Sequence, residues 1–326
     1  MKVKVFTETA GTFDERDILK KFYKGIKKHE NTHSDNFVDS VEVSFGIQER
    51  YDPCDVAVML GSWKDRDRPW HNTRNSVVKN SRVFIVVETP FLDRKTSEKN
   101  TQHRIGVNGF LSNDGIFTIK NYPADRLNNM GLTWQGWKNN KEGHVLLMLQ
   151  LPGDASLRGI DMYDWARWAL DKIKQHTDRK IIIRTHPHHN PKELDVLHKF
   201  ISDITLMEDP NIKVRIGNSE ATLQKDLKDA YCSVSYSSGS SIDSILAGIP
   251  TIALDPANFA YGVSNNFIEE IENLRYTEEA HITQWLSNLA YSQWSVEEME
   301  NGTVWRHLKP IIDSQLVQAV ARGKKK

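Results

Sequence analysis

Short apolar runs and stretches of helical spacing alternate along this chain in two series. The first opens with a strand predicted at residues 3–6. Residues 14–29 follow, with Ile18, Leu19, Phe22, Tyr23 and Ile26 on one helical face and Lys20, Lys21, Lys24, Lys27 and Lys28 on the other. Strands are predicted at 41–45, 56–60 and 83–87, each running into polar or Gly-rich sequence as parallel strands do at functional loops. Over 94–140 the periodicity breaks into Gly- and Asn-rich sequence, read as loops and short strands that end in a linker near 139–143. The second series predicts strands at 145–151, 180–184 and 212–216, and helices at 162–175, 192–204 and 222–230. "SYSSGSSIDSILAGIPTIALDP", residues 235–256, then reads as a strand end, a Ser/Gly turn, a helix closed by Gly248 and a buried strand at 251–254.

Two α/β series of similar size predict two Rossmann-like doubly wound domains facing a cleft, residues 1–141 and 142–326. The last helices, from residue 278 onward, are counted with the second domain; periodicity does not fix which sheet they cover. A length of 326 residues suffices for two full cores, and 39% hydrophobic with 26% charged residues is a globular composition. A formal net charge of zero excludes a surface built throughout for nucleic acid. Residues 1–142 carry 23 Lys+Arg against 19 Asp+Glu and the remainder 20 against 24, so a polyanion would meet the N-terminal half. Cys54 and Cys232 form no metal-ligand spacing and fit a reducing compartment. The first residues read as a buried strand rather than a signal peptide, and no apolar run is long enough to cross a bilayer. A cytoplasmic protein without a membrane partner is expected.

The Ser/Gly turn is the first candidate for chemistry. Backbone N–H groups at a helix start favour an anion; Ser237, Ser238, Ser240 and Ser241 add short donors, and Gly239 allows close approach. Asp243, one turn further, would repel a phosphate but accept from a ribose diol. The plain alternative is one capping serine among surface serines. In "IIIRTHPHHNP" a strand ends at Arg184, and Pro187 fixes the loop that carries His186, an imidazole able to bind a diphosphate. Metal binding by His186, His188 and His189 is disfavoured, because their spacing puts no two rings on one helical face and no Cys or carboxylate pair accompanies them. "LQLPGDASLRG" adds Gly153, Ser156 and Arg158. With Arg184, these loops form a donor-phosphate set at one edge of the predicted sheet.

"GSWKDRDRPWHNTR" interleaves Trp63 and Trp70 with Lys64, Arg66, Arg68 and Arg74, a pattern for base stacking and phosphate contacts that also suits sugar rings. Asp65 and Asp67 spell DxD, but inside a basic loop they read as partners of the arginines, and no metal is predicted.

"RTHPHHNP" followed by "SYSSGSSIDSILAGIP" resembles the His-Pro and Ser-rich motifs of two-domain nucleotide-sugar glycosyltransferases of the GT-B type, especially bacterial sialyltransferases and capsule-polysaccharide transferases. The resemblance covers about residues 145–260. It implies a UDP-sugar as co-substrate with no cofactor or metal, donor phosphate at His186 and residues 237–241, ribose at Asp243, and the acceptor on the first domain. "ETPFLDR" and "HRIGVNGFLSNDGIF" are similar to phage transferases that attach a sugar, including arabinose, to 5-hydroxymethylcytosine in DNA. That implies double-stranded DNA as partner and the host cytoplasm as location. Bacterial surface-polysaccharide synthesis is the alternative, and a non-catalytic nucleotide- or DNA-binding protein a third reading. An inverting transfer needs a base from the first domain. Glu88, at the end of an apolar strand, is the first choice and Asp14 the second, with Glu8 and Glu15 also at the end of the first strand. Asp14 as a helix cap and Glu88 as partner of Arg94 or Arg104 are the structural alternatives, and a retaining reaction needs no such base.

Overall fold

The computed structural model describes residues 1–32, 40–44, 52–63, 69–94, 102–188, 194–217 and 220–321; of residues 30–32, 40–44, 69, 220 and 221 it describes the backbone. The chain divides into two compact units.

The first series gives β1 (Lys2–Phe6), a 3-10 turn (Thr7–Thr9), α1 (Phe13–Thr32), β2 (Ser40–Ser44), β3 (Val56–Leu60), α2 (Pro69–Asn80), β4 (Val83–Glu88) and β5 (Gln102–Val107). α1 buries Leu19, Phe22 and Ile26 against Val3, Val5, Val56 and Val58. After a short α3 (Asp125–Asn129), the second series supplies β6 (His144–Met148), α4 (Met162–His176), β7 (Ile181–Arg184), α5 (Leu194–Thr205), β8 (Ile212–Arg215), α6 (Glu220–Lys228), β9 (Ala230–Ser235), α7 (Ser240–Leu246), β10 (Thr251–Ala253) and α8 (Glu279–Ala290). The chain ends with β11 (Gln293–Ser295), α9 (Val296–Glu300) and α10 (Thr303–Ala321).

The first unit holds a six-stranded sheet in the order β11-β5-β4-β3-β1-β2. Its β2-β1-β3-β4 core is parallel; β5 runs antiparallel to β4, and β11, antiparallel to β5, returns to the direction of the core. The second unit's five-stranded sheet is parallel throughout, in the order β10-β9-β6-β7-β8. Its apolar strands are covered by Ala166, Leu170 and Ile173 of α4 and by Leu197 and Phe200 of α5. The predicted α/β alternation is therefore present in both halves.

The division of the chain differs from 1–141 and 142–326. The first unit comprises 1–110, 114–122 and 288–326; the second comprises 111–113 and 123–287. Two causes are visible. Trp134 donates to the Ile245 carbonyl at 3.0 Å and Trp137 to the Thr277 carbonyl at 2.8 Å, so the expected linker is sewn to the second unit. At the other end, β11 pairs with β5, and Trp305, Leu308, Ile311 and Ile312 of α10 lie in the first unit's core. A capping box between Ser295 and Glu298 starts α9. Gly25 lets α1 press on α9, since a Cβ there would collide with the Met299 carbonyl.

"GSWKDRDRPWHNTR" is not wholly loop. Its second half opens α2, so Trp70 and Arg74 are helical. Among the described residues no helix is long and apolar enough to cross a membrane.

Candidate active site

Numbered from its own first strand, the second sheet runs 3-2-1-4-5, and the direction of winding reverses between β6 and β9. In sheets of this kind, ligands bind outside the carboxyl ends of the strands at that reversal. The loops that leave β6 and β9 there are joined by Gln150. Its Nε2 donates to Ser156 Oγ at 2.8 Å and Ser237 Oγ at 3.1 Å, and its Oε1 accepts from the Ser237 N–H at 2.8 Å. Asp154 accepts from both the N–H and the hydroxyl of Ser156, at 2.9 and 2.6 Å, and Ser237 donates to the Ser156 carbonyl at 3.0 Å. Ser241 is fully buried, sharing a hydrogen bond of 2.6 Å with Ser235 and accepting from Asn258 at 2.9 Å.

Ser156 and Ser237, expected to bind the donor, are thus engaged in holding the two loops together, and Ser241, expected to do the same, ties α7 to the end of β9 and to Asn258. Ser238, Gly239 and Ser240 remain half-buried at the mouth of α7, the two hydroxyls 2.7 Å apart. Asp243 lies in the first turn of α7, half-buried. Gly153 is exposed with φ of 65°. Arg158, exposed and left-handed, donates to Asn113 at 2.7 Å. Tyr236 has its phenol pushed up to about 12, by burial first and then by its hydrogen bond to Asp255. At the end of β7, His186 is half-buried, and its Nδ1 lies 3.1 Å from the His188 nitrogen and 3.2 Å from the His188 carbonyl oxygen, within its own loop.

Arg184 does not join this set. It is buried, donating to Asp226 at 2.6 Å and to Thr222 at 2.8 Å, while Arg215 holds the other Asp226 oxygen. A guanidinium locked on a fully buried carboxylate is a brace between β7, β8 and α6, not a phosphate ligand.

In the first unit the reversal falls between β1 and β3. The turn after β1 is clamped from several sides. Thr9 Oγ1 donates to the Phe6 carbonyl at 2.6 Å and accepts from the Leu60 N–H at 3.0 Å. Arg74 reaches across from α2 to the Thr9 carbonyl through Nε and Nη2, at 3.0 and 2.6 Å, and to the Ser62 carbonyl through Nη1 at 3.0 Å. Gly61, at φ of 84°, makes room: a Cβ there would strike the guanidinium. Arg74 is therefore a buried clamp rather than the DNA contact its loop suggested. Trp63 packs edge-on against Phe84 and Phe110, at 5.6 and 4.9 Å, which withdraws it from base stacking. Trp70 is half-buried beside His71. Lys64, Arg66 and Arg68 lie outside the described residues.

Of the carboxylates, Glu88 accepts from the N–H groups of Ser62 at 2.7 Å and Thr89 at 3.0 Å, with Arg104 at 3.8 Å, so the first choice for a base ties β3, β4 and β5 together. Glu15 accepts from the Gly11 and Thr12 N–H groups at 2.6 and 3.0 Å and caps α1. Asp14 is exposed in the first turn of α1. Glu8 is different. It is only 7% exposed, and among the described residues neither oxygen has a partner in hydrogen-bond geometry. Burial pushes its carboxyl up to about 7, against the opposing pull of its own N–H, Lys4, Thr7 and Arg16.

No protein-family model matches the chain, and no curated protein is similar to it in sequence. Solved structures are similar in fold. The β-Kdo 2,4-transferase of KpsC from Thermosulfurimonas dismutans superposes with a TM-score of 0.54 at 12% identity, over 90% of each chain. The fold is GT-B. The β-Kdo 2,7-transferase of the same protein matches this GT-B chain over 94% of its length and 100% of its own, with a TM-score of 0.51 and 12% identity.

A groove of about 1010 Å³ opens at the opposite, amino-terminal edge of the second sheet, beside His144, Lys180 and Asp229. Two of its cations are engaged: Arg179 is held by Glu272 at 2.9 Å and lies 3.6 Å over the Tyr231 ring, and Lys174 pairs with Asp209 at 2.7 Å. It lies away from the carboxyl-edge loops of the GT-B second unit.

Proposed function

We propose that this protein is a glycosyltransferase that takes a sugar from a nucleotide sugar, a UDP-sugar, to a hydroxyl acceptor. One observation carries the reading: at the winding reversal of the second sheet, Gln150 locks two loops together and leaves Ser238, Gly239 and Ser240 at their rim. The Ser238 and Ser240 hydroxyls held in place there, with the close approach that Gly239 allows, suit a diphosphate. His186 and Arg158 supply further donors, and Asp243 accepts from the ribose. The fold shared with two sugar transferases supports the same reading. Calorimetry with UDP tests it: the double variant Ser238→Ala, Ser240→Ala is expected to bind about tenfold more weakly, two hydroxyl contacts being worth about 1–2 kcal/mol together. Unchanged affinity would remove the phosphate from this loop.

The acceptor is read as 5-hydroxymethylcytosine in double-stranded phage DNA. The support is the resemblance of "ETPFLDR" and "HRIGVNGFLSNDGIF" to phage transferases and the net +4 (23 minus 19) of residues 1–142. A saccharide hydroxyl of a surface polysaccharide is the second reading, favoured by the fold match to two Kdo transferases and by the engagement of Trp63 and Arg74 inside the first unit. Mass spectrometry after incubation with a panel of UDP-sugars separates them, a mass gain on a hydroxymethylcytosine duplex supporting the first and a gain only on an oligosaccharide the second. If DNA is bound, Arg66→Ala with Arg68→Ala is expected to flatten the salt dependence of its affinity, fewer counterions being released.

A further inference from the structure

The Thr7–Thr9 turn poses a physical question. Thr9 Oγ1 and the Thr9 carbonyl are both tied down, and Ala10 donates to the Thr7 carbonyl at 3.2 Å, so the turn has little freedom. Yet its central side chain is a carboxyl more than nine-tenths buried, with neither oxygen hydrogen-bonded among the described residues. Leaving buried polar atoms unmatched costs about 1–3 kcal/mol, and such groups in native proteins call for an explanation.

Nearby cations do not supply one. The Lys4 ammonium pairs with Asp52, and the Arg74 guanidinium is taken up by two carbonyls. The elements packed around the turn carry Lys2 and Lys4 on β1, Glu42 by sequence position on β2, Asp14, Glu15, Arg16 and Asp17 at the start of α1 with its lysines, Tyr23, His29 and Glu30 further along, and His71, Arg74 and Lys79 on α2; β3 carries none. Lys4 and Arg16 act on Glu8 only through space, and burial outweighs them. A buried carboxyl with no ion-pair partner among the described residues, carried by a clamped turn at the winding reversal of a parallel sheet, has the attributes of an acid–base group.

We propose that Glu8 takes the proton from the acceptor hydroxyl during sugar transfer. The assignment rests on the transferase reading above. As the acceptor oxygen bonds to the anomeric carbon, its proton passes to the Glu8 carboxylate. The bond from the anomeric carbon to the phosphate oxygen breaks, and its electron pair leaves on the nucleotide.

The test uses the full chain, with the UDP-sugar and acceptor that react in the panel above. The wild-type transfer rate is expected to rise with pH through about 7 and then level, because the carboxylate form is the active one. Glu8→Gln should lose about 10²- to 10⁴-fold in rate and lose that rise, while binding UDP with wild-type affinity. Glu8→Asp keeps the titrating group and should keep the rise at a reduced rate. Transfer by Glu8→Gln within about fivefold of wild type, or a surviving pH rise in that variant, overturns the proposal. Should Glu8→Gln not fold, a pH rise absent from Glu8→Asp overturns it equally. Failure of the wild type to bind UDP would overturn the transferase reading itself, and the proton-transfer role with it.

Discussion

Both sheets brace their carboxyl edges with a buried arginine, but to opposite effect. In the second unit Arg184 is paired with Asp226, and what remains at the rim of the neighbouring loops is the Ser238 and Ser240 hydroxyls, His186 and Arg158, with Asp243 in the first turn of α7. In the first unit Arg74 is engaged by carbonyls that carry no formal charge, and among the described residues the carboxyl of the turn it braces has no ion-pair partner. A cation matched to an acid leaves an environment suited to receive an anion. A cation matched to backbone dipoles leaves a nearby acid protonatable near neutrality. The two edges are thus prepared for different partners, although the strands that carry them follow the same α/β logic.

The largest effect expected from disturbing this contrast is at Asp226. Replacing it by Ala strands two arginine charges, one of them buried, and should destabilise the second unit by about 3–5 kcal/mol in denaturant unfolding. A loss below 1 kcal/mol would mean that the brace is immaterial. Arg74→Lys keeps the charge but cannot fork between the Thr9 and Ser62 carbonyls, and a loss of about 1.5–3 kcal/mol is expected by the same measurement.

Glu8 sharpens the comparison through pH. Its folded-state carboxyl stands at about 7 against an ordinary 4.5, so between those values the native protein holds a proton that the unfolded chain has released. Stability should therefore fall as pH rises from about 4.5 to 7, and level outside that window. Glu8→Gln abolishes this component and should gain on the order of 2 kcal/mol over wild type at pH 8 relative to pH 4. Parallel pH curves would show that the carboxyl is ordinary. Smallest of the four, Gln150→Ala unlaces the β6 and β9 loops, and UDP affinity should drop about three- to tenfold, or about 1 kcal/mol, by calorimetry.

Much of the fold was legible because β3, β4, β6 and β7 are apolar runs, and because β1 and β9 are short, largely apolar segments that lead into polar residues. α2 was not, since its buried face is made of His71, Thr73, Arg74 and Val77 and shows no apolar stripe. α10 was visible as a helix, but an apolar face does not say which sheet it will cover. Within the site, the positions of His186 and the Ser/Gly turn followed from strand ends. Gln150 was overlooked, although the first polar residue after the run "VLLML" is where such a group would stand. The environment of Glu8 was beyond reading, because it is set by Arg74, 65 residues on in contact with Thr9, and by Asp52, which occupies Lys4.

The return of the chain to its first sheet bears on how the molecule can be dissected. Apart from residues 111–113, the second unit is one uninterrupted stretch, whereas the first is assembled from both ends of the polypeptide. A stop codon placed after Tyr122 would yield not a smaller domain but a fragment stripped of its edge strand and of the indole of Trp305; only splicing 1–122 directly to 288–326 restores the complement of side chains that its interior requires.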